Sequence, residues 1–278
     1  KRTNLSKNLK KFMHDLKIYC MCLDNNYLDV VKDLGYIPVG LKNDNFSNEW
    51  LRDNTLENIS EKNSYYGEYT FYYWYWKNKL KNKPKDEWIG FCSYRELWGR
   101  KEHDQTSNNL KDILLQKKYD EWNNYDAIIG KPIYLKKTNI VKVLKYGKIA
   151  MFKSPKNLFL KNSTIKFQFD MFHGVGNLDK AIEMLPAKDQ NDFNLFVNTQ
   201  VSYNQGNMFI SKSEEVINSY FSDVFDWLKK CETVFGFDLK DYNRIRMYTF
   251  LAERYLSYWF KKYTKYLEWP VVYKDINR

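Results

Sequence analysis

The chain has 278 residues, a formal net charge of +11 and 18% aromatic residues. A chain of this length buries a sizeable core, so it needs no disulfide or metal to stabilise it. Its four cysteines have no Cys-x-x-Cys spacing, and no apolar run approaches the roughly 18–20 residues of a membrane span, which together favour a soluble protein of the reducing cytoplasm.

The N-terminal residues 1–16 are predicted to form a lead-in helix or linker. Apolar residues recur there at helical spacing, at Leu5, Leu9, Phe12 and Met13. Because the first residue is not Met, we expect the chain to be either trimmed at its N-terminus or part of a longer polypeptide. Residues 17–278 are then predicted to form a single domain.

Three short apolar runs predict β-strands. Residues 16–23 end at a turn that begins with Asp24, and residues 88–94 are followed at once by the charged pair Arg95-Glu96. Residues 127–129 form the third run. In an open α/β sheet, ligands bind outside the carboxyl ends of the strands, so Asp24 and its neighbours are candidates for a nucleotide-binding edge.

Helices are predicted between and after these strands. Residues 65–82 form a block of aromatic rings that Pro84 brings to an end, which indicates a buried helix. Later patterns predict helices near residues 178–185, 216–235 and 244–263. Early strands that alternate with helices, followed by a run of helices, predict a mixed α/β domain with a helical C-terminal part.

The segment 53–63 is rich in side chains that hydrogen-bond to backbone groups and to sugar hydroxyls. It contains Asp53, Asn58, Lys62 and Asn63. One interpretation is a helix cap with its loop, because Ser, Asn and Asp are preferred at such positions. The other interpretation is the polar rim of a ligand pocket.

A second polar segment raises the question of a metal. Gln168 and Asp170 follow the β-like run 164–167, and an amide oxygen and a carboxylate on one strand face could hold a divalent ion as an Asp-x-Asp pair does. His173 would be a third ligand or a phosphate donor, and the alternative is a buried, structural histidine.

Two further patterns concern a turn and the last helix. Residues 204–210 predict a tight turn that enters a strand, in which Gly206 supplies a conformation that other residues resist; a simple hairpin is the alternative. In the last helix, Arg246, Phe250 and Glu253 share one face. Arg246 and Glu253 are too far apart to pair directly, so each is expected either to contact another element or to face a site.

The basic charge and the aromatic content allow three interpretations. Lys and Arg neutralise phosphates while rings stack on bases, which is typical of a nucleic-acid-binding surface. AT-rich codons also favour Lys, Asn, Tyr, Phe and Ile, and the chain is rich in all of them. An anionic membrane or polymer is the third possible partner. The non-enzymatic hypothesis is therefore a basic, aromatic-rich module that binds a glycan or a nucleic acid.

Taken together, the segments resemble the DUF4422 family of bacterial capsule and O-antigen glycosyltransferases over residues 17–272. The resemblance rests on 53–63 with the aromatic helix, 89–95, 125–129, 168–179, 204–209, Arg246 and 251–254. This chain departs from the family where the family has His-Tyr-Arg-Arg, because Ser93 replaces the His and Glu96 replaces the second Arg.

The resemblance implies a GT-A-like, Rossmann-type α/β fold with a mixed sheet, a UDP-sugar donor, and a growing polysaccharide or lipid-linked glycan as acceptor. The family is similar to galactofuranosyltransferases that use Gln-x-Asp. This similarity implies a role for Gln168 and Asp170 at a divalent metal, Mn or Mg, or at the diphosphate. Galactofuranose or an N-acetylated sugar is the implied donor sugar. The implied partners are other capsule-building domains or the inner face of the membrane, and not nucleic acid.

Candidate roles follow for the charged and polar residues. If the reaction inverts the anomeric centre, a carboxylate must deprotonate the acceptor hydroxyl. The candidates for catalysis are Asp170, Asp179 and Glu253. Cations would stabilise the diphosphate leaving group, where charge develops. The candidates for binding the donor and its diphosphate are Asp24, Asn58, Lys62, Tyr94, Arg95, His173, Asn207 and Arg246.

Overall fold

The computed structural model describes residues 15–42, 45–102, 107, 109–136 and 162–276. Nearly all of the predicted lead-in helix therefore lies outside the described residues, and Leu16 already belongs to the first strand. None of the described helices combines the length and the apolar character needed to cross a bilayer.

Within the described residues, nine strands form one mixed sheet, and two short strands pair separately. The strands are β1 Leu16–Cys22, β2 Ile37–Gly40, β3 Leu51–Arg52, β4 Trp88–Ser93, β5 Glu96–Trp98, β6 Ala127–Gly130, β7 Ile133–Tyr134, β8 Ser202–Tyr203, β9 Phe209–Ser211, β10 Tyr266–Trp269 and β11 Val271–Tyr273. The order across the main sheet is β10-β6-β9-β4-β1-β2-β3, and β5 pairs with β4 and β11. The separate pair is β7 with β8.

The direction of the strands decides where a ligand can bind. Strands β3, β2, β1 and β4 are mutually parallel, and β10 is parallel to β6. Strand β9 lies between β4 and β6 and is antiparallel to both. Six strands therefore end at the same edge of the sheet, which is the edge where α/β proteins bind ligands.

The helices cover the sheet and form most of the second half of the chain. They are α1 Leu28–Asp33, α2 Asn63–Tyr66, α3 Tyr69–Asn78, α4 Leu110–Ile113, α5 Ile165–His173, α6 Asn177–Glu183, α7 Ala187–Thr199, α8 Glu214–Phe235, α9 Tyr242–Ile245 and α10 Met247–Tyr263. The mixed α/β class with a helical C-terminal part is thus confirmed.

The sheet separates two apolar layers because successive strand residues point to opposite faces. In β1, Tyr19 and Met21 pack into a layer with the aromatic helix α3 and the long helices α8 and α10. Ile18 and Cys20 of the same strand pack into the other layer, which includes Trp98.

The aromatic block is scaffold. It forms α2 and α3, which are separated at Gly67, and the rings of Tyr69, Phe71, Tyr72 and Trp74 are almost fully buried. Rings buried in this way cannot stack on the bases of a nucleic acid. Their area instead stabilises the layer between the sheet and the helices.

The strands predicted at 16–23, 88–94 and 127–129 are confirmed as β1, β4 and β6. The prediction of β-like structure at residues 164–167 is wrong, because Thr164 caps helix α5 and residues 165–167 form its first turn. Thr164 caps this helix by accepting a hydrogen bond from the Phe167 N–H at 3.2 Å. Apolar residues alternate along α5 because several of its sides are buried, and that alternation imitates a strand.

Candidate functional site

A cleft of about 330 Å³ opens at the carboxyl edge of the sheet. It lies where β1 and β4 end, and the opposite wall comes from the first turns of α10 and from the turn before β9. The polar residues of its lining are Asn63, Glu68, Ser93, Tyr94, Arg95, Glu96, Tyr203, Gln205, Asn207, Tyr242, Arg246, Thr249, Glu253 and Arg254.

Among the described lining residues, the carboxylates are Glu68, Glu96 and Glu253. Glu253 is buried, and both of its oxygens accept hydrogen bonds: Oε1 from the Gly206 N–H at 2.9 Å and Oε2 from Arg254 Nη1 at 2.5 Å. Burial raises the pKa of Glu253, and the Arg254 guanidinium and the Gly206 N–H act against that increase. This carboxylate is held in place by its neighbours.

Glu68 is also held by its neighbours. Its Oε1 accepts from Asn207 Nδ2 at 2.6 Å, and its Oε2 lies 3.5 Å from Arg246 Nη2. Asn207 is itself fixed, because its carbonyl accepts from the Tyr72 hydroxyl at 2.7 Å. The turn before β9 thus orients Glu68 toward the cleft wall.

Glu96 differs from the other two acids. Within the part of the chain that the structure describes, its carboxylate accepts no hydrogen bond and forms no ion pair. Burial raises the pKa of Glu96 from 4.5 to about 8, and the negative charges of Glu253 and Glu68 add to that effect, whereas Arg246 opposes it. A carboxyl group with such a pKa can exchange a proton near neutral pH.

The cationic lining residues come from two elements. Arg246 and Arg254 lie on α10 or at its start, and Arg95 lies in the turn between β4 and β5. Gly67 has a φ of +56°, which favours glycine, and a Cβ there would lie 2.5 Å from Arg246 Nη2, so a side chain at this position would displace the guanidinium.

Both helical arginines retain hydrogen-bonding capacity. Arg254 Nη2 donates to Gln168 Oε1 at 2.9 Å, but the Nε atoms of Arg254 and Arg246 are buried without a partner among the described residues. These two Nε atoms are too buried to contact a ligand in the cleft, but 29% of the Arg246 side chain is exposed there, so its guanidinium can donate to an anion.

Aromatic and polar side chains form the rim near Arg95. The Tyr94 ring packs against the Tyr27 ring, with 4.8 Å between centroids, and the Tyr27 hydroxyl donates to Asp275 Oδ1 at 3.0 Å. Arg95 Nε lies 3.4 Å from Asp275 Oδ2, and most of the Arg95 side chain is exposed. Its charge is thus available to a ligand that enters from solvent.

The structure brings five of the sequence-predicted site residues together in the cleft. They are Tyr94, Arg95, Asn207, Arg246 and Glu253. Arg246 and Glu253 share one face of α10, as their spacing predicts. Each contacts another element, because Arg246 pairs with Glu68 and Glu253 accepts from the turn before β9.

Four other candidates do not line the cleft. Asp24 caps a short 3₁₀ helix after β1, and Asn58 accepts from the Ser60 N–H in its own loop. Lys62 precedes α2 and pairs with Glu232 of α8 at 2.7 Å. Asp179 is half exposed and pairs with Lys166 at 2.7 Å. The described lining of the cleft contains none of the four, and their roles stay predictions.

Gln168 and Asp170 lie two residues apart on helix α5 instead of on a strand, so they point to different sides of it. Gln168 accepts from Arg254, whereas Asp170 accepts from the Gly176 N–H at 3.2 Å and pairs with Lys166 at 3.2 Å. These two oxygen sets therefore do not fit a single divalent ion. Among the described residues, no group of three or more His, Cys, Asp or Glu side chains is arranged to hold a metal.

His173 is a buried side chain that supports the cleft from behind. Its Nδ1 lies 2.8 Å from the Asn243 carbonyl oxygen, and its ring stacks on Phe250 with 4.2 Å between centroids. Burial lowers the pKa of His173 to about 3, with a further contribution from Arg254. The ring is therefore uncharged at neutral pH, which does not suit a cationic phosphate-binding group.

Sequence reasoning missed Glu68, Glu96 and Arg254 as site residues. Each had a visible signal: Glu68 is a charge inside an aromatic block, Glu96 follows a buried strand, and Arg254 lies within an apolar helix. A charge in such a position is costly unless it is paired or functional.

Comparisons with known proteins place the chain among related sequences and folds. The sequence model of a family described as "Domain of unknown function (DUF4422)" matches residues 17–265. The apo structure of the bifunctional glycosyltransferase WbbM is similar with a TM-score of 0.67 and 17% identity, and the match covers 94% of this chain and 45% of that chain. The chain thus spans less than half of that structure. No curated protein matches it.

Proposed function

This chain belongs to the DUF4422 family, and on that premise we propose that it is a glycosyltransferase. It transfers a sugar from a UDP-sugar donor to a growing capsular polysaccharide or O-antigen. The fold it shares with a bifunctional glycosyltransferase supports the proposal. Because the chain spans only part of that protein, the proposal concerns a single transfer reaction.

The observation that carries the proposal is the cleft with its arginines at the carboxyl edge of the sheet. The guanidinium of Arg246 is partly exposed and that of Arg95 is mostly exposed, and both residues line the cleft. Two phosphate groups offer several anionic oxygens to such donors. A UDP diphosphate would therefore lie between α10 and the turn after β4.

The same cations serve the chemistry. The acceptor hydroxyl attacks the anomeric carbon, the bond from that carbon to the phosphate oxygen breaks, and its electron pair leaves with UDP. Negative charge develops on the diphosphate in the transition state, where Arg246 and Arg95 stabilise it. We infer a single displacement, which inverts the anomeric configuration.

The donor sugar is proposed to be galactofuranose or an N-acetylated hexose. Tyr94, Tyr242 and Phe250 line the cleft beside polar groups, which is a suitable surface for the apolar face and the hydroxyls of a sugar. The family resemblance, rather than any contact in the cleft, favours galactofuranose among these sugars.

The test is UDP release from UDP-galactofuranose, UDP-galactopyranose and two UDP-N-acetylhexosamines, each with lipid-linked oligosaccharides as acceptors. We expect one donor to give acceptor-dependent release, and Arg246→Met to reduce it strongly. Exposed Lys180→Met on α6 serves as the matched control for loss of a cation. If the folded protein neither binds UDP nor releases it from any donor, the proposal is wrong.

The non-enzymatic alternative is tested on the same samples. Nucleic-acid binding driven by phosphate contacts weakens steeply as salt concentration rises. Tight, strongly salt-dependent binding of a single-stranded oligonucleotide, together with no UDP binding, would favour the alternative.

A further inference from the structure

Glu96 lies on a rigid part of the cleft. Its backbone is the first residue of β5 and pairs with Ser93 of β4 on one side and with Tyr273 of β11 on the other. The turn before it is fixed as well, because the Lys274 N–H donates to the Arg95 carbonyl at 3.1 Å. A side chain on such a platform is preorganised.

The turn before β9 is shaped to accommodate this carboxylate. Gly206 has a φ of +93°, and a Cβ at that position would lie 3.0 Å from Glu96 Oε2. The Gly206 N–H points instead to Glu253 Oε1, to which it donates at 2.9 Å. The absence of a side chain at Gly206 therefore leaves space beside Glu96.

The other two cleft acids already have protein partners. Glu253 uses both oxygens for Gly206 and Arg254, and Glu68 uses its oxygens for Asn207 and Arg246. Removing a proton from a substrate requires an oxygen that can accept it. In the described part of the cleft, Glu96 is the acid whose carboxylate oxygens accept no hydrogen bond and form no ion pair.

Resting on the proposed function, we propose that Glu96 is the general base of the transfer reaction. Its carboxylate accepts the proton of the acceptor hydroxyl as that oxygen bonds to the anomeric carbon. The anomeric carbon–oxygen bond breaks at the same time, and its electron pair leaves with UDP. The proton ends on Glu96 and passes to solvent after the product leaves.

The charged and titratable groups that face Glu96 come from three elements, α10, α3 and β11, and from the residues just before the two helices. Glu253 lies on α10 and Arg246 precedes it, Tyr72 lies on α3 and Glu68 precedes it, and Tyr273 lies on β11. Burial, with a further contribution from the two acids, raises the pKa of Glu96 to about 8. Since a base acts only when it is ionised, kcat should rise with pH and level off above about pH 8.

The first test compares the wild type with Glu96→Gln, which keeps the shape and removes the base. We expect kcat for UDP release to fall by about 10²- to 10⁴-fold, with the Kd for UDP changed by less than about threefold. The rise of kcat with pH should disappear in this variant. Glu215 is an exposed residue of α8, and Glu215→Gln is the matched control. It should have the kcat of the wild type and the same rise of kcat with pH.

Chemical rescue distinguishes catalysis from positioning. In Glu96→Ala, added formate should restore part of kcat, because a small carboxylate can occupy the space left by the side chain. A merely structural role would not respond to formate. If Glu96→Ala does not fold, the pH profile of Glu96→Gln decides the question alone.

The outcomes separate the two proposals. Wild-type turnover together with near-normal kcat and an unchanged rise of kcat with pH in Glu96→Gln overturns the role of Glu96 and leaves the transferase intact. No turnover by the wild type with any donor overturns both. Loss of kcat and of its rise with pH in Glu96→Gln, with unchanged UDP binding, supports the role of Glu96.

Discussion

Replacing Glu96 by Gln should stabilise the protein, and the gain should grow with pH. The folded protein holds the Glu96 proton up to about pH 8, whereas an unfolded chain releases it near its ordinary pKa of 4.5. Between these values the folded state binds more protons than the unfolded state. The free energy of unfolding of the wild type therefore falls as pH rises through this window, whereas a neutral Gln makes no such contribution.

The magnitude follows from the two pKa values. At about 1.36 kcal/mol per pH unit, the difference between them corresponds to roughly 5 kcal/mol in total, of which roughly 3 kcal/mol develops between pH 5 and pH 8. We expect Glu96→Gln to be about 1 kcal/mol more stable than the wild type at pH 5 and about 4 kcal/mol more stable at pH 8.

The assay is urea denaturation of both proteins at pH 5, 6.5 and 8, followed by tryptophan fluorescence. Other groups with shifted pKa values, such as His173 and Asp170, are common to both proteins and cancel in the difference to a first approximation. Glu215→Gln should show no pH-dependent gain. A stability difference between Glu96→Gln and the wild type that is the same at all three pH values would refute this reasoning.

Three further predictions concern the residues around the cleft. Arg246→Ala should raise the Kd for UDP by about 10- to 100-fold in calorimetry, because a charged donor is lost, and Arg246→Lys should recover part of it; unchanged binding would contradict the proposed diphosphate site. Gln168→Ala should lower the free energy of unfolding by about 1–3 kcal/mol, because Arg254 loses an acceptor; normal stability with loss of metal-dependent turnover would instead favour the metal interpretation. Gly206→Ala should destabilise by about 1–3 kcal/mol in urea denaturation, owing to its positive φ and its contact with Glu96. A near-zero effect would mean that the turn relaxes easily.

Local patterns in the sequence were sufficient to predict several of the strands and helices. The apolar runs that became β1, β4 and β6 and the stripes of α8 and α10 were visible, because strand and helix periodicities are properties of neighbouring residues. The same reasoning missed β10 and β11, which are short and only partly buried. It mistook the start of α5 for a strand, because a helix buried on several sides loses its simple periodicity.

Within the cleft, the sequence by itself determined that Arg246 and Glu253 share a helix face, because that follows from the geometry of one helix. Only the tertiary structure placed Glu68 beside Arg246, across 178 residues of chain. It also placed Gln168 beside Arg254, and it placed Glu96 near two other acids with no partner for its carboxylate among the described residues. A pKa and a hydrogen-bond partner depend on what lies within a few ångströms in space, and the order of strands in the sheet, with β9 inserted between β4 and β6, decides which distant residues those are.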